Sequence, residues 1–288
     1  MVRNKKSYNI SRTDRNSQIS RLYYADEDFC LKTLQSINYY RLSAYFLPFK
    51  NSDDTFKVNT TFERIANIYN FDKELRILLF SIIEDIEIFL RTQFAYFHAH
   101  KYGCTAYLDG NFFSKKHNSQ KFKDLIKKEI NNNKNVLFVK HHKEKYNGVF
   151  PIWVITELFT FGMLSYFYAD LITQDQKYLS RELYKTIPQN IISYLRCTTD
   201  LRNICAHYGR LYFRIFPAIP ANIEVEDNAK RKLWGIIQAV KALYPDTKKW
   251  NKEIIPTLEK LFNNYRDDIE LHHIAFPDNW VELIKKQL

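Results

Sequence analysis

The sequence predicts an all-α protein, and three observations carry that prediction. Glycine and proline are scarce, 6 and 8 residues in 288, where average chains devote roughly 12% to the two. Apolar residues recur at intervals of three and four over long stretches, as on the buried face of a helix. No stretch alternates in the manner of a half-buried strand. Hydrophobic residues make up 45% of the chain, enough to fill a large core, so a disordered chain is excluded. The shortage of backbone breakers excludes a turn-rich sandwich or barrel.

The elements follow in order. Residues 1–25 read as a basic N-terminal arm, loosely attached. Asp26 is placed to cap a helix over 27–36 anchored by Phe29, Leu31 and Leu34. The run INYYRLSAYFLPF at 37–49 is dense in aromatics and stops at Pro48, and a polar loop follows. Residues 61–71 read as a short helix. The longest periodic stretch then runs from Asp72 to His100, through Leu75, Leu79, Ile82, Ile86 and Leu90, and Gly103 ends it. Residues 119–131 form a lysine-rich amphipathic helix, and NNNKNVLFVKHHKEKYNG reads as a basic loop or exposed helix. Pro151 opens an apolar helix to about 171. Thr186 and Pro188 open another to about 207, closed by Gly209. Two prolines break the pattern between Phe213 and Asn222, and helices near 227–243, 251–264 and 278–287 complete the chain. The organisation is therefore an arm (1–25), a helical domain (26–225), and a C-terminal helical extension (226–288) packed on the core.

Lys and Arg number 43 against 32 Asp and Glu, a net charge of +11, which points to a polyanionic partner, nucleic acid ahead of an acidic membrane surface. The segment Gly148–Ala169 is long enough to test as a membrane span, but Glu157 falls near its middle, where a carboxylate costs about 2.5–3.5 kcal/mol. It reads as a buried helix. Cys30, Cys104, Cys197 and Cys205 form no C-x-x-C pair and no zinc spacing, so four reduced thiols and a cytoplasmic protein are expected. The N-terminal MVRNKKSYNISRTDR lacks the apolar run of a signal peptide.

One stretch gathers chemistry. Asp200-Leu201-Arg202-Asn203-Ile204-Cys205-Ala206-His207 places an arginine and a histidine near a helix end. Asn203 and His207 share a face, whereas Arg202 lies about 140° round in a regular helix. A histidine can move a proton at neutral pH. The forked, permanently charged guanidinium fits a phosphate whose charge grows in a transition state. The alternative is structural: Arg202 paired with Asp200 or Glu157, and His207 settled on the helix C-terminus.

The stretch RNICAHYGRLY resembles the R-x4-6-H signature of HEPN ribonucleases in its R-N-x3-H form. INYYRLSAYFLPF (37–49), the E-x3-R helix at Glu87–Arg91 leading to KYG (101–103), PIWVITELFTFGMLSYFY (151–168), RNICAHYGRLY (202–212) and FPDNW (276–280) together resemble the Abi family of bacterial abortive-infection proteins, in its Abi D/F-like branch. The resemblance implies a HEPN-related helical bundle and a role in phage defence. It also implies metal-independent RNA cleavage, in which the 2′-OH attacks the adjacent phosphate and leaves a 2′,3′-cyclic phosphate. On this chain Arg202 and His207 become the catalytic pair and Asn203 their polar helper. Such sites are usually composite, requiring a homodimer or a second unit within the chain.

Arg91 to His98 fits R-x6-H. Glu87, Arg91, Phe94 and His98 lie at the same offsets as Arg196, Asp200, Asn203 and His207, which nominates Arg91, His98 and Glu87 as a second half-site. The alternative is a plain i,i+4 ion pair between Glu87 and Arg91. Glu157, read as a buried carboxylate, should contact Arg202, Arg91 or His207, and with Asp200 it is expected to orient the pair. Lys140, Lys143 and Lys145 are expected to grip an RNA backbone, with Arg41 and Tyr40 stacking bases. His141-His142 and His272-His273 show no carboxylate or cysteine companion, so no metal and no cofactor are expected. The reading is a phage-triggered growth-arrest toxin, an RNA endonuclease whose partner is RNA and not a membrane. The alternative is a non-catalytic RNA-binding protein of the same fold, held by a small noncoding RNA or sensing phage RNA.

Overall fold

The computed structural model describes residues 22–53 and 55–286. Among them the chain is all-α, and pairing of the strand type is limited to isolated bridges such as Tyr23 with Thr61. Thirteen helices succeed one another: α1 (Glu27–Ser36), α2 (Tyr39–Phe46), α3 (Phe62–Tyr102), α4 (Ser119–Asn132), α5 (Leu137–Lys145), α6 (Ile152–Ile155), α7 (Phe161–Asp170), α8 (Thr173–Tyr184), α9 (Pro188–Ala206), α10 (Leu233–Leu243), α11 (Thr247–Lys249), α12 (Ile255–Asn264) and α13 (Trp280–Ile284).

The spine is α3, 41 residues long, about 60 Å at 1.5 Å per residue. The sequence suggested two helices meeting at Asp72; the structure has one. Thr61 caps its start by accepting the Arg64 N–H at 3.1 Å, and nothing between 62 and 102 is glycine or proline. Asp72, read as a helix start, is instead fully buried and its carboxylate is consumed by tertiary partners described below. Polar groups along α3 tie in the rest of the chain. Glu63 accepts the Ala25 N–H at 2.8 Å, Arg64 donates to the Asp268 carbonyl at 3.0 Å, and Asp85 accepts from Tyr244 at 2.6 Å and Lys249 at 2.8 Å. Leu22 at the end of the arm is buried, so residues 22–25 are attached to α3. The rest of the arm lies outside the described residues.

The apolar run 148–169 departs from expectation in a way that matters. It is not one helix: a tight turn over Thr156–Leu158 separates α6 from α7, and Thr160 restarts the chain by capping the Met163 N–H at 3.2 Å. No described helix is long and apolar enough to cross a membrane. The C-terminal helices also start later or end sooner than their periodicity suggested. Residues 226–232 are turns, α12 is entered through a π-type turn at Trp250–Ile254, and α13 is five residues long. Trp234, Trp250, Phe262 and Trp280 join the same hydrophobic core as α3 and α9. All four cysteines are free, and burial pushes the Cys197 and Cys205 thiols up to about 12.

Candidate active site

Pro188 opens α9, because a missing N–H costs nothing in a first helical turn. The helix then runs antiparallel to α3: Arg202 meets Phe80 and Glu87, Gly209 meets Arg76, and Tyr212 meets Asp72. Charges alternate across this seam. The Arg202 Nε lies 4.0 Å from Glu87 Oε2, and Glu87 Oε1 lies 2.5 Å from Arg91 Nη2. Arg91 donates onward to the Phe159 carbonyl at 2.7 Å and the Glu157 carbonyl at 3.1 Å, with the Glu157 carboxylate at 3.5 Å. Those two carbonyls are available because the helix breaks there; in an unbroken helix they would accept from their own turn. The Arg202 guanidinium lies 5.5 Å over the Phe80 ring, an attractive cation–π arrangement. The buried Nε atoms of Arg202 and Arg91 make no hydrogen bond among the described residues.

His207 stands at the C-terminal cap of α9. Its N–H bonds the Asn203 carbonyl at 3.0 Å, and its ring and the Asn203 side chain are both exposed. The helix stops by a device the sequence reading assigned to Gly209. The left-handed residue is Tyr208, at φ 57°; Gly209 has an ordinary φ and sits in close approach to Ile204. A Cβ there would stand 3.0 Å from Ile204 Cγ2 and 3.2 Å from its carbonyl oxygen.

The next four residues are held from below. Asp72 accepts the N–H groups of Leu211 (3.1 Å) and Tyr212 (2.8 Å) and the Tyr45 hydroxyl (2.7 Å), and pairs with Arg76. Arg76 donates to the Gly209 carbonyl at 3.3 Å, and Arg210 to that of Ala44. Burial raises the Asp72 pKa above the usual carboxylate range, and Arg76 with the other donors offsets that only in part. Arg41 completes the clamp: it donates to the Tyr208 carbonyl at 2.5 Å and the Tyr69 hydroxyl at 3.3 Å, with both tyrosine rings within 6 Å.

Several sequence-nominated residues are therefore reassigned. His98 does not form a second half-site. It is completely buried between the rings of Tyr102, Phe113 and Phe167, neither ring nitrogen finds a hydrogen-bond partner among the described residues, and burial pulls its pKa down to about 4. The stripe that carries Glu87 and Arg91 at the rim passes under Phe113 and Phe167 two helical turns later, at His98. Glu87 and Arg91 do reach Arg202, but as its counter-charge and a brace. Asp200 has no hydrogen bond or ion pair with Arg202 or His207 among the described residues: the cations acting on it are Arg196, one turn earlier on α9, and Arg214, beyond the end of that helix, and burial raises its pKa. Glu157 is not buried; its side chain is 56% exposed on the rim, in contact with Arg91 as expected. Arg41 is consumed by the Tyr208 clamp and is not free to stack bases, and Tyr45 is buried against Asp72. Tyr40, at 75% exposure, and Lys140, Lys143 and Lys145 on α5 stand in solvent.

Phe80, Asp72 and Arg76 were not nominated from the sequence. Their spacing of four residues on α3 was the available signal, yet it is shared with every amphipathic helix.

A family model described as Abi-like protein matches residues 32–213. The matched segment spans the spine, the broken helix and the clamp, and ends one residue past Tyr212. No curated protein and no solved structure gave a match.

Proposed function

Since the chain belongs to the Abi-like protein family, associated with abortive infection and phage resistance, we propose that it acts in phage defence as a metal-independent RNA endonuclease of HEPN type, arresting growth when triggered. One observation carries the reading: Arg202 lies on an aromatic platform, its Nε without a hydrogen bond among the described residues, near the end of the helix that displays His207 to solvent. In the proposed step the ribose 2′-oxygen forms a bond to the adjacent phosphorus while the bond to the 5′-oxygen breaks. His207 transfers the proton between the entering and leaving oxygens, and Arg202 stabilises the charge on the phosphoryl oxygens. Asn203, four residues before His207 on the same exposed face, is placed to hold a ribose or phosphate oxygen. Arg202 and His207 leave α9 in different directions, so a second copy of the chain is proposed to complete the constellation.

A second reading rests on a different observation. Glu87 already faces Arg202, and no group of the protomer holds the His207 ring in one orientation among the described residues. A general base needs hydrogen-bond reach to its proton and a fixed tautomer. The same surface in a non-catalytic RNA-binding protein, restrained by a small noncoding RNA or sensing phage RNA, would look alike. Purified protein incubated with total RNA and a chelator, followed by mapping of product ends, separates the two. Cyclic-phosphate ends that vanish in R202A and H207A support the nuclease. RNA retained intact at saturating wild-type protein, with binding weakened in R202A, supports the binder.

A further inference from the structure

The His272-His273 pair, which had no evident ligand companion in the sequence, acquires one in the fold. The two residues sit in the tight turn Leu271–Ile274, immediately after Glu270, with ring centroids 4.1 Å apart. Glu270 Oε2 is 3.5 Å from His272 Nδ1, and one donor atom from each of the three residues lies within 4.8 Å of the others.

Two neighbours preset this group. The Tyr212 hydroxyl donates to the Glu270 carbonyl at 3.2 Å, accepts the Glu270 N–H at 2.8 Å, and lies 2.8 Å from His273 Nδ1. With the hydroxyl proton directed at the carbonyl, His273 Nδ1–H is the donor to the hydroxyl oxygen, and the Nε2 lone pair is left free. An outer partner on one imidazole nitrogen is what fixes the other for coordination. Phe213, with its ring centroid 4.2 Å away, holds the plane of the His273 ring. Arg64 occupies Glu270 Oε1 at 2.9 Å and leaves Oε2 toward His272.

We propose that Glu270, His272 and His273 bind one divalent transition-metal ion of the zinc type, through Glu270 Oε2, His273 Nε2 and a ring nitrogen of His272, with water as the remaining ligand. Two imidazoles and a carboxylate are a borderline donor set that suits zinc. Tetrahedral ligands at zinc–nitrogen distances stand about 3.3 Å apart, so the three must draw together. His272, 69% exposed, is the side chain able to swing in, whereas Tyr212 and Arg64 hold the other two. The Arg64 charge opposes the ion, so affinity is expected to fall below that of a four-ligand structural site. Bound metal would staple the C-terminal turn to Tyr212, whose backbone is held by Asp72. The site shares no residue with the Arg202–His207 surface, and its test is independent of RNA cleavage.

The experiment is calorimetric titration of zinc into the chelator-stripped full-length protein, paralleled by cobalt(II) visible absorption. One saturable equivalent is expected, with a raised melting temperature in zinc. Affinity should fall by more than about tenfold in H272A and in H273A, a loss seen even for outer partners of metal sites, and stay unchanged in the H141A/H142A control. His272 is exposed, so H272A keeps its fold even if H273A does not. Absence of saturable binding to the wild type, or equal binding by H272A, would overturn the site.

Discussion

Replacing Asp72 by alanine tests the claim that a buried ion pair on α3 builds the turn that presents His207. The substitution strands the N–H groups of Leu211 and Tyr212, the Tyr45 hydroxyl, and above all Arg76, whose side chain is only 5% exposed. Breaking one side of a buried pair costs about 3–5 kcal/mol. The stranded donors overlap with that figure instead of adding to it in full, because they face the same lost carboxylate. A loss of about 4 kcal/mol is expected. At roughly 2–4 °C per kcal/mol for a chain somewhat shorter than this one, the melting temperature should drop by about 8–16 °C. The double variant D72A/R76M removes the orphaned charge and should recover a large part of the loss. Urea unfolding followed by far-UV circular dichroism, with matched calorimetric scans, measures both. A D72A protein within about 1 kcal/mol of wild type would refute the reasoning, as would a double variant less stable than D72A.

The other predictions concern the site and its surroundings. H98F should retain full RNA cleavage, since His98 is sealed among rings; loss of cleavage in a folded H98F protein would restore the second half-site. The same variant carries a pH signature. His98 has its folded pKa pulled down to about 4, below the roughly 6.5 of an unfolded histidine. The unfolded chain therefore binds the extra proton between those values, and stability falls as pH drops from 6.5 toward 4 by up to about 1.4 kcal/mol per pH unit. H98F should remove that share of the slope, and urea midpoints at pH 7 and pH 5 that shift equally in both proteins would count against it. E87Q removes the carboxylate 4.0 Å from Arg202 and should tighten RNA binding roughly fivefold, about 1 kcal/mol for charges at that distance in a water-like medium; unchanged or weaker binding in filter assays would show that Glu87 does not restrain the arginine. The triple reversal K140E/K143E/K145E should weaken RNA binding and lower the salt slope by about 2, at roughly 0.7 per single-strand phosphate contact, and an unaltered slope would remove α5 from the RNA surface.

Much of the architecture was legible because helices are local. The cap at Asp26, the glycine after Tyr102 and the proline opening α9 are each readable within one turn of chain, and each is where the sequence placed it. The departures share a cause. Asp72 looks like a helix start because aspartate usually serves there, and its true partners lie 139 and 140 residues away. Thr156–Leu158 looks like mid-helix because no glycine or proline stands between Pro151 and Gly162, and the break shows only in the fold, in the Thr160 cap and in what Arg91 does with the carbonyls. Arg41 looked like an RNA contact because cation and rings adjoin in sequence; the rings it uses are Tyr69 and Tyr208.

The order of the residues along the chain was enough to specify helices, an apolar interior, a surplus of positive charge, and the arginine–asparagine–histidine stretch that carries the family likeness, since each depends on composition or on spacing within a few turns. Which charges face one another was settled only when α9 came down antiparallel on α3. That packing set Glu87 against Arg202, sank His98 among aromatic rings, left His207 in solvent and brought Tyr212 to His273. A one-dimensional pattern specifies which side of its own helix a residue occupies; whether that side meets water, an opposite charge or a ring depends on the partner surface, and here most partners are more than sixty residues away in sequence.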